Sequence, residues 1–535
     1  MKITFCGANH EVTGSQTLIE WQSGRYAMVD CGMEQGKNEY VNAPLPVKAD
    51  QVEHVFVTHA HIDHTGMLPF LYKQGFRGRV YATRATCNLL HIMLADSAHI
   101  QESDAEYQNK KNKRAGKPLV EPLYTQDDVN GLLENIRPCE YGEQIMVDDG
   151  IIARFTDAGH LLGSASVELW LKDGDTQKKI VFSGDVGNVD KPILNDPMPI
   201  DEADYIVVES TYGNRFHDKR IDPLPMLVDV LQRTLDRGGN VVIPSFAVGR
   251  TQEVLYLIRE VKQRGLVHGH DGFPVYVDSP LANEATAIFL QADTSFFDEP
   301  TRAVMQEGVN PIAFDGLRTS ITADDSKRLN ADTVPKVIIS SSGMCDAGRI
   351  RHHLKYNLWR PESTVLFTGY QSNGTLGRLI QDGAESVKLF GDEIAVKCEV
   401  ATWQGVSGHA DKNGLMKWVR DIIPTPGQIF VNHGDHDAAM EFAQSLKDEF
   451  HVNVDVPYSG SVYDLAKGVW EYEAEPVKFA KKKTQAAEKA DRAFSNLLDA
   501  ARRLLDVVQD ARGMANKELQ RFTDKINSLI NDIRN

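Results

Sequence analysis

The stretch His59-Ala60-His61-Ile62-Asp63-His64 decides the fold, and it directly follows the hydrophobic run of residues 52–58. Three imidazoles and a carboxylate within six residues are costly to remove from water unless a partner compensates them. A divalent cation is the usual partner. The sequence therefore predicts a metal site at the point where a buried strand ends.

Four more residues with metal-binding side chains stand near the ends of later hydrophobic runs. In chain order they are His160, Asp185, His409 and His433. Polar groups at the carboxyl ends of buried strands are where open α/β sheets build their sites. We therefore expect these residues to converge on the hexapeptide in the folded chain.

The spacing within the hexapeptide suggests two metal ions. Imidazoles at positions i and i+2 reach one ion only if the backbone turns sharply, and the adjacent Asp63-His64 pair then reaches a second ion. The seven predicted ligands are His59, His61 and His160 at the first metal, Asp63, His64 and His433 at the second, and Asp185 bridging both. This donor set suits two Zn²⁺, with Mn²⁺ or iron as alternatives. Two cations about 4 Å apart would hold a bridging hydroxide and clamp the oxygens of a phosphoryl or acyl transition state.

The composition is that of a soluble globular protein with more than one core. The chain has 535 residues, 42% of them hydrophobic and 25% charged, so several domains are expected. It contains no apolar run long enough to span a membrane and begins without a signal-peptide pattern. The six cysteines are scattered, which is typical of reduced thiols and predicts a cytoplasmic protein.

The net charge bears on the choice of partner. A formal charge of −17 argues mildly against a nucleic-acid partner, because such proteins usually present a basic surface. The argument is weak for an enzyme, since bound cations reverse the local field around carboxylate ligands.

The pattern of hydrophobic runs changes along the chain. The first 200 or so residues alternate short β-branched runs with turn signals, and from about Tyr205 strands alternate with helical periodicity. That alternation predicts a parallel sheet covered by helices. Because His409 and His433 come after this block, we expect the chain to return to its first domain. The predicted segments are 1–205, an insertion over 206–385, a return over 386–465, and a C-terminal helical extension over 476–535.

The C-terminal extension has the periodicity of two amphipathic helices. Apolar residues step by three and four from residue 494 to 511 and again from 519 to 533, with Gly513 between them. A hairpin packed on its own domain and a surface that pairs two copies into a homodimer both fit this pattern.

The ordered motifs resemble a known family. The H-A-H-I-D-H motif, followed by the single His, Asp and His positions, resembles the metallo-β-lactamase fold, and the inserted block resembles that of the β-CASP nucleases. The latter resemblance is carried by Glu209 in V-E-S-T-Y-G, by His409 in S-G-H-A-D and by His433 in V-N-H-G. It covers roughly residues 1–465 and implies an α/β protein. The expected architecture is a metallo-β-lactamase αββα sandwich with an inserted parallel β-CASP domain, followed by the C-terminal helices.

The resemblance also implies a reaction, the metal-dependent hydrolysis of phosphodiester bonds in single-stranded RNA. Asp63, Glu209 and His409 are the predicted catalytic residues. His409 would bind the scissile phosphate or protonate the leaving group, with Glu209 orienting it. Histidine at this motif is found in the RNA-cleaving members of the family, whereas Artemis-like DNA nucleases typically have valine. Endonucleolytic cleavage is expected, and 5′-to-3′ exonuclease action stays open.

Contacts to the RNA backbone are expected from the inserted block. Ser245 and Arg250 lie in a segment that resembles the family's strand-to-helix turn, and Ser342 and Gly343 lie in a similar loop of small residues. Plain turns would explain these loops as well. The densest basic run, residues 110–117, is either a solvated helix face or an entry lip for RNA.

Two other functions compete with the nuclease. The metal fold alone would permit a small-molecule metallo-hydrolase acting on a thioester, lactone or lactam, but such a substrate requires neither the insertion nor Glu209 and His409. A non-catalytic scaffold would usually have lost ligands, and here the series is complete. A flavo-diiron oxidase is disfavoured because its motif has Glu at the position of His61.

Overall fold

The structure is a computed structural model, and it describes residues 1–36, 38–217, 222–369, 371, 374–403, 407–479, 504, 507–508 and 513–534. The chain divides into two units, Met1–Lys478 and Phe479–Asn535. Nearly all of the secondary structure described belongs to the first unit.

The strands of the first unit are numbered in chain order. They are β1 Lys2–Gly7, β2 Gln16–Gln22, β3 Arg25–Cys31, β4 Val52–Phe56, β5 Arg79–Thr83, β6 Ile136–Cys139, β7 Ile145–Asp148, β8 Ile151–Asp157, β9 Ala165–Asp173, β10 Thr176–Phe182, β11 Tyr205–Glu209, β12 Val241–Pro244, β13 Val275–Val277, β14 Leu317–Thr319, β15 Val337–Ser340, β16 Thr364–Phe367, β17 Ser386–Leu389, β18 Asp392–Ala395, β19 Glu399–Thr402, β20 Gln428–Asn432, β21 Asn453–Asp455, β22 Val462–Asp464 and β23 Val469–Tyr472.

The helices are numbered in the same way. They are α1 Ile62–Thr65, α2 Leu68–Lys73, α3 Arg84–Ala115, α4 Gln126–Leu133, α5 Pro223–Asp236, α6 Arg250–Gln263, α7 Pro280–Gln291, α8 Glu299–Gln306, α9 Ala323–Ala331, α10 Ile350–Asn357, α11 Leu376–Gln381, α12 Lys412–Arg420, α13 His436–Phe450 and, in the second unit, α14 Asn516–Arg534.

Two sheets pack face to face as a sandwich. Within the described residues, one has the order β23-β22-β1-β2-β3-β4-β5-β6 and the other has the order β21-β20-β11-β10-β9-β8-β7. Buried Phe5, Trp21, Phe155 and Phe430 belong to the core between them. Strand β8 is buried at alternate positions, as expected for a strand with one face on a core.

Helices cover the outer faces of both sheets, which completes the predicted αββα arrangement. On the first sheet, Val55 of β4 and Val80 of β5 share a core cluster with Leu90 of α3. On the second sheet, Ile206 of β11 shares a cluster with Leu415 of α12. Strand β11 is buried at every position, because it lies inside the sheet and helices or strands cover both of its faces.

The inserted block forms a third sheet of parallel strands, with the order β14-β13-β15-β12-β16-β19. Helices alternate with these strands along the chain, as the sequence pattern predicts.

Four strands pair differently from what the sequence pattern suggests: β11 and β19, and also β17 and β18, which lie in the predicted return segment but pair with each other. β11, which we expected to open the inserted block, pairs with β10 and β20 in the sandwich. β19, in the predicted return segment, pairs with β16 in the inserted sheet. A short hydrophobic run shows that a strand forms, but only its neighbours decide which sheet it joins. The predicted boundaries at 205/206 and 385/386 themselves stay predictions.

In the second unit, the structure describes helix α14, which corresponds to the second predicted C-terminal helix. Leu504, Val507 and Val508 of the first predicted helix are helical, and its remaining residues lie outside the described part of the chain. Within the described residues, no helix is long and apolar enough to cross a membrane.

Candidate metal centre and active site

The hexapeptide occupies a sharp turn between a strand and a helix. Strand β4 ends at Phe56, His59 lies in the turn, and His61 is the residue before the first turn of α1, which holds Asp63 and His64. Because the chain turns here from strand to helix, the three histidines and the aspartate of the hexapeptide point into one region, as the spacing predicts.

The other predicted ligands come from the facing sheet. His160 follows β8, Asp185 follows β10, and His433 follows β20. Strands β8, β10 and β20 run in the same direction, because β8 and β10 both pair antiparallel with β9 while β10, β11 and β20 pair in parallel. Their carboxyl ends therefore meet at one edge of the sheet, where these side chains converge on the hexapeptide.

The first group of donors surrounds one oxygen of Asp185. Its Oδ2 lies 3.5 Å from His59 Nε2 and 3.6 Å from His160 Nε2. His61 Nδ1 is 3.0 Å from His59 Nε2. Each of the four residues offers a donor atom within 4.8 Å of the others, which is the arrangement that a single ion requires.

The second group surrounds the other oxygen of Asp185. Its Oδ1 lies 3.3 Å from His64 Nε2 and 3.5 Å from His433 Nδ1. Asp63 Oδ2 is 3.7 Å from His433 Nε2, and one donor atom each from Asp63, His64 and His433 lie within 4.8 Å of one another. The two oxygens of Asp185 thus face different groups, which is the geometry expected of a bridging carboxylate.

The chemistry of these side chains fits divalent cations. Both ring nitrogens of His160 and Oδ1 of Asp185 are buried without a hydrogen-bond partner in the described part of the structure, and such atoms are costly unless something binds them. Burial lowers the pKa values of His59 and His160 well below the ordinary range, so both rings are neutral and have a free lone pair. Burial opposes ionisation of Asp185, but His433, His64 and His59 outweigh it and hold its pKa well below the usual value.

Asp30, at the end of β3, positions the second group. Its Oδ2 lies 2.7 Å from His64 Nδ1, and its two oxygens accept hydrogen bonds from the backbone N–H and the hydroxyl of Thr58. An imidazole held at Nδ1 by a carboxylate presents Nε2 to a metal and becomes a stronger ligand. Our sequence analysis missed Asp30, although it stands at the end of a hydrophobic run just as Asp185 does.

His409 lies at the opening of the donor cluster. Its ring centroid is 4.4 Å from that of His160, its Nε2 is 3.9 Å from Asp185 Oδ2, and its side chain is 22% exposed. Antiparallel pairing of Gly187 with His409 brings its loop next to the loop that carries Asp185. The ring therefore faces both the donor cluster and the solvent from which a substrate would arrive.

Glu209 holds the other side of the His409 ring. Its Oε1 lies 3.3 Å from His409 Nδ1 and accepts a hydrogen bond from Val186 N, and its Oε2 accepts one from Thr211 N. Burial alone would lower the pKa of His409, but the charge of Glu209 and its hydrogen bond raise that pKa above the ordinary value. The contact with Glu209 thus favours the protonated form of the His409 ring.

Asp411 does not touch the ring of His409. Its Oδ1 caps helix α12 by accepting from Gly414 N, and its Oδ2 accepts from the backbone N–H of His217. His217 in turn lies 2.9 Å, at Nε2, from the carbonyl oxygen of His409. Asp411 and His217 therefore hold the backbone of the His409 loop, and sequence analysis did not single out His217.

The four residues predicted to bind phosphate have different surroundings. Ser245 is buried and hydrogen-bonds with Thr251 and the backbone of its own turn. Gly343 is buried, and Phe246 lies so close to it that a Cβ would be 3.0 Å from the ring. Ser342 is partly exposed, and its hydroxyl contacts the backbone of Ala347.

Arg250 is the one of the four that lies beside the metal-type donors. The guanidinium of Arg250 would lie 3.7 Å from a Cβ added at Gly408, the residue before His409. The guanidinium is paired with Glu253, which also lies 3.9 Å from the ammonium of buried Lys191. Lys191 donates to the carbonyl oxygen of His160, so these charges connect the inserted block to the donor cluster.

Comparison with known domain families agrees with the observed layers. The metallo-beta-lactamase superfamily matches residues 11–225, the Beta-Casp domain matches residues 251–380, and the Zn-dependent metallo-hydrolase RNA specificity domain matches residues 393–457. The fold and the site thus define a metallo-hydrolase of the metallo-β-lactamase superfamily.

The chain is also similar to curated proteins over most of its length. It is 37% identical over 449 residues to a ribonuclease of Thermus thermophilus, covering 83% of this chain and 96% of the relative. It is 31% identical to an RNase J-like protein of Methanocaldococcus jannaschii, covering 86% of this chain and 99% of that relative. It is also 31% identical to the transcription termination factor FttA of Methanosarcina mazei, covering 83% of this chain and 69% of that relative. The chain belongs to the β-CASP family of metal-dependent ribonucleases.

Proposed function

We propose that this protein is a zinc-dependent endoribonuclease that hydrolyses phosphodiester bonds in single-stranded RNA at the cluster around Asp185. His59, His61 and His160 would hold one Zn²⁺, and Asp63, His64 and His433 the other. Imidazole nitrogens completed by carboxylate oxygens are the donors that zinc prefers, and Mn²⁺ or iron would accept the same set.

The observation that carries this proposal is the position of His409. Its ring is held at Nδ1 by Glu209 and turns Nε2 toward the donor cluster, 3.9 Å from Asp185. A protonated imidazole at this point would serve a phosphodiester in two ways, because the non-bridging oxygens of the phosphate carry charge and its leaving oxygen requires a proton.

Each residue of the site has a separate role in this hydrolysis. Bound cations would supply an activated water and neutralise charge on the phosphate. Protonated His409 donates a hydrogen bond from Nε2 to the scissile phosphate or a proton to the leaving oxygen, while Glu209 keeps the ring charged and oriented. Asp30 keeps His64 turned toward its ion. Arg250 lies where it can contact a neighbouring phosphate.

One labelled substrate tests the reaction. The zinc-loaded protein is incubated with RNA labelled at its 5′ end, beside DNA of the same sequence, with the Asp63→Ala, His64→Ala variant as the control for contaminating nucleases. Labelled 5′-terminal fragments of intermediate length, formed from RNA alone, would support an endoribonuclease. Immediate release of a labelled mononucleotide would instead show 5′-to-3′ exonuclease action, and cleavage of neither strand by fully metal-loaded protein would contradict the proposal in favour of a small-molecule hydrolase.

We also propose that the C-terminal helices pair two copies of the chain. In helix α14, Leu519, Phe522 and Ile526 recur at helical spacing, and Phe522 is 45% exposed. An apolar stripe of this kind is typical of a pairing surface. Sedimentation of the full chain should show a dimer that a Leu519→Lys, Ile526→Lys variant abolishes, and a monomeric full chain would contradict this assignment.

A further inference from the structure

The distal part of helix α3 and the segment that follows it carry an isolated basic surface. We define the α3 arm as residues 107–120, whose sequence is YQNKKNKRAGKPLV. It contains five cations and no anion, within a chain that has 75 acidic and 58 basic residues. The basic side chains of the arm, all exposed, are Lys110, Lys111, Lys113, Arg114 and Lys117.

The cations of the arm form no ion pairs in the described part of the chain, although Glu106 and Glu121 flank the arm in sequence. At the other end of the same helix, Arg84 pairs with Glu140. An unpaired cluster of like charges leaves a local positive potential that a polyanion would neutralise, with release of its counterions.

The arm is held in one conformation. The Asn109 side chain accepts a hydrogen bond from Val120 N and donates one to Val120 O, at 2.8 and 2.9 Å. Buried Asn112 donates to Pro118 O, and Gly116 ends the helix with φ of 62°, a conformation that glycine adopts without strain. The return segment is thus tied to the helix, so presenting the cations to a ligand costs little ordering entropy.

An aromatic ring accompanies the cations. Tyr107 is 61% exposed, and the ammonium of Lys111 lies 4.2 Å from its ring centroid. Exposed rings beside cations are what sequence-tolerant binding of single strands uses, since every base offers a face for stacking.

The arm is connected to the active site but lies far from it. Near the start of α3, the Thr86 hydroxyl donates to the carbonyl of Gly163, three residues beyond His160. From Thr86 to Lys113 a helix extends about 40 Å, at 1.5 Å per residue. A short oligonucleotide bound at the metal centre would not reach the arm, whereas a long RNA would.

We propose that the α3 arm is a second RNA-binding site, which holds the backbone of long single-stranded substrates away from the point of cleavage. This inference rests on the proposed ribonuclease function. It assigns the arm to substrate capture rather than to chemistry, and it predicts that the enzyme favours long RNA over short.

The test compares two variants that remove the same charge. The arm variant carries Lys110→Gln, Lys111→Gln, Lys113→Gln and Arg114→Gln, and glutamine preserves helix propensity. The control variant carries Lys172→Gln, Lys388→Gln, Lys397→Gln and Lys447→Gln, all exposed positions outside the arm. Binding of an RNA of several tens of nucleotides is measured by fluorescence anisotropy across a salt series, in the Asp63→Ala, His64→Ala background so that the RNA stays intact.

The arm variant should bind the long RNA about tenfold more weakly than the control variant. The slope of log K against log salt concentration should also be shallower by up to about 3, since each lost phosphate contact contributes about 0.7. With Asp63 and His64 restored, cleavage of a pentanucleotide should be unchanged. Equal binding of the long RNA by the two variants would overturn the proposal. So would a loss of activity on the pentanucleotide as large as the loss on long RNA, or a change in oligomeric state caused by the arm substitutions. Because binding is measured without cleavage, a protein that captures long RNA through the arm but cleaves none would contradict only the proposed chemistry.

Discussion

Two clusters of buried histidine and aspartate are each built around an aspartate that follows a strand, Asp185 after β10 and Asp278 after β13, and they differ in whether their polar atoms are satisfied. In the sandwich, both nitrogens of His160 and Oδ1 of Asp185 have no hydrogen-bond partner among the described residues. In the inserted sheet, His353 Nε2 is 2.6 Å from Asp278 and its Nδ1 is 2.8 Å from Asn330.

The remaining contacts of Asp278 complete the second cluster. Its other oxygen accepts a hydrogen bond from Arg349, and both Asp278 and His353 are fully buried. Both clusters combine a strand-end aspartate with buried histidine, although His353 lies within helix α10. Only the cluster around Asp185 has unsatisfied donor atoms to offer, so we expect it to bind metal and the cluster around Asp278 to stabilise the inserted domain.

The largest expected effect follows from removing the carboxylate between the two donor groups. Asp185→Ala takes a ligand from both ions, so metal content should fall by at least one ion per chain and RNA cleavage should drop by about 10⁴-fold or more, since activated water and charge neutralisation are lost together. Metal analysis of the purified protein and initial cleavage rates measure both. Full metal content in this variant would show that Asp185 is not a shared ligand.

The second effect separates chemistry from metal binding. His409→Ala should reduce kcat about 10²- to 10⁴-fold, the range for loss of a general acid, while metal content stays at the wild-type level. Glu209→Gln should act through His409. Because Glu209 raises the pKa of His409, its loss lowers that pKa, and activity that needs the protonated ring should decline at a lower pH. An unchanged alkaline limb of the pH–rate profile would argue against this coupling.

The third effect belongs to the cluster around Asp278. Asp278→Ala leaves Arg349 and His353 without their carboxylate, and breaking a buried pair in this way costs about 3–5 kcal/mol. Denaturant unfolding should report that loss while metal content remains unchanged. A lower metal content in Asp278→Ala would contradict the assignment of the Asp278 cluster to stability and not to metal binding.

The pH dependence of that stability has a defined sign. Burial opposes ionisation of Asp278, but its hydrogen bonds with His353, Ser326 and Arg349 hold its pKa well below the ordinary value. The stabilisation from Asp278 is thus fully present above about pH 4, the pKa of an unfolded aspartate, and is lost as pH falls toward the lower folded value. The Asp278→Ala variant should lack this part of the acid sensitivity.

The smallest expected effect concerns Asp30, which touches a donor residue but not the metal position. Asp30→Asn weakens the contact that orients His64 and should reduce metal affinity about 10- to 100-fold, with cleavage recovered at high metal concentration. Competition with a chelator of known affinity measures the change. Thr17→Ser, at a buried hydroxyl that lines the same cavity as Asp30 and His64, serves as the control.

The positions of individual site residues in the structure show what a local sequence pattern can predict. His59, His61, Asp63 and His64 are close in the chain, so their convergence follows from a single turn. Each distant candidate donor was singled out because it stands near the end of a hydrophobic run. The same signal at Asp30 went unused, and Asp278, which also ends a run, shows that the signal does not by itself separate a ligand from a satisfied core residue.

Other features depend on neighbours that are remote in the chain. β11 and β19 were recognisable as strands, but their sheets follow from pairing with β20 and β16. Arg250 and Ser245 lie in one turn, yet one faces Gly408 and the other is buried in hydrogen bonds with its own loop. Side-chain direction at the end of a strand depends on the packing around it, which a local pattern does not contain.

The sequence by itself determined the class of fold, the parallel insertion and the set of candidate donor residues, because hydrophobic periodicity and residue chemistry are local properties. Tertiary structure decided which oxygen of Asp185 faces which donors, which ring nitrogen of His409 the expected contact with Glu209 holds, and that the Asp278 cluster satisfies itself. Those outcomes depend on distances of a few ångströms between side chains up to about 370 residues apart, as for His64 and His433, and such distances are set only when the sheets pack.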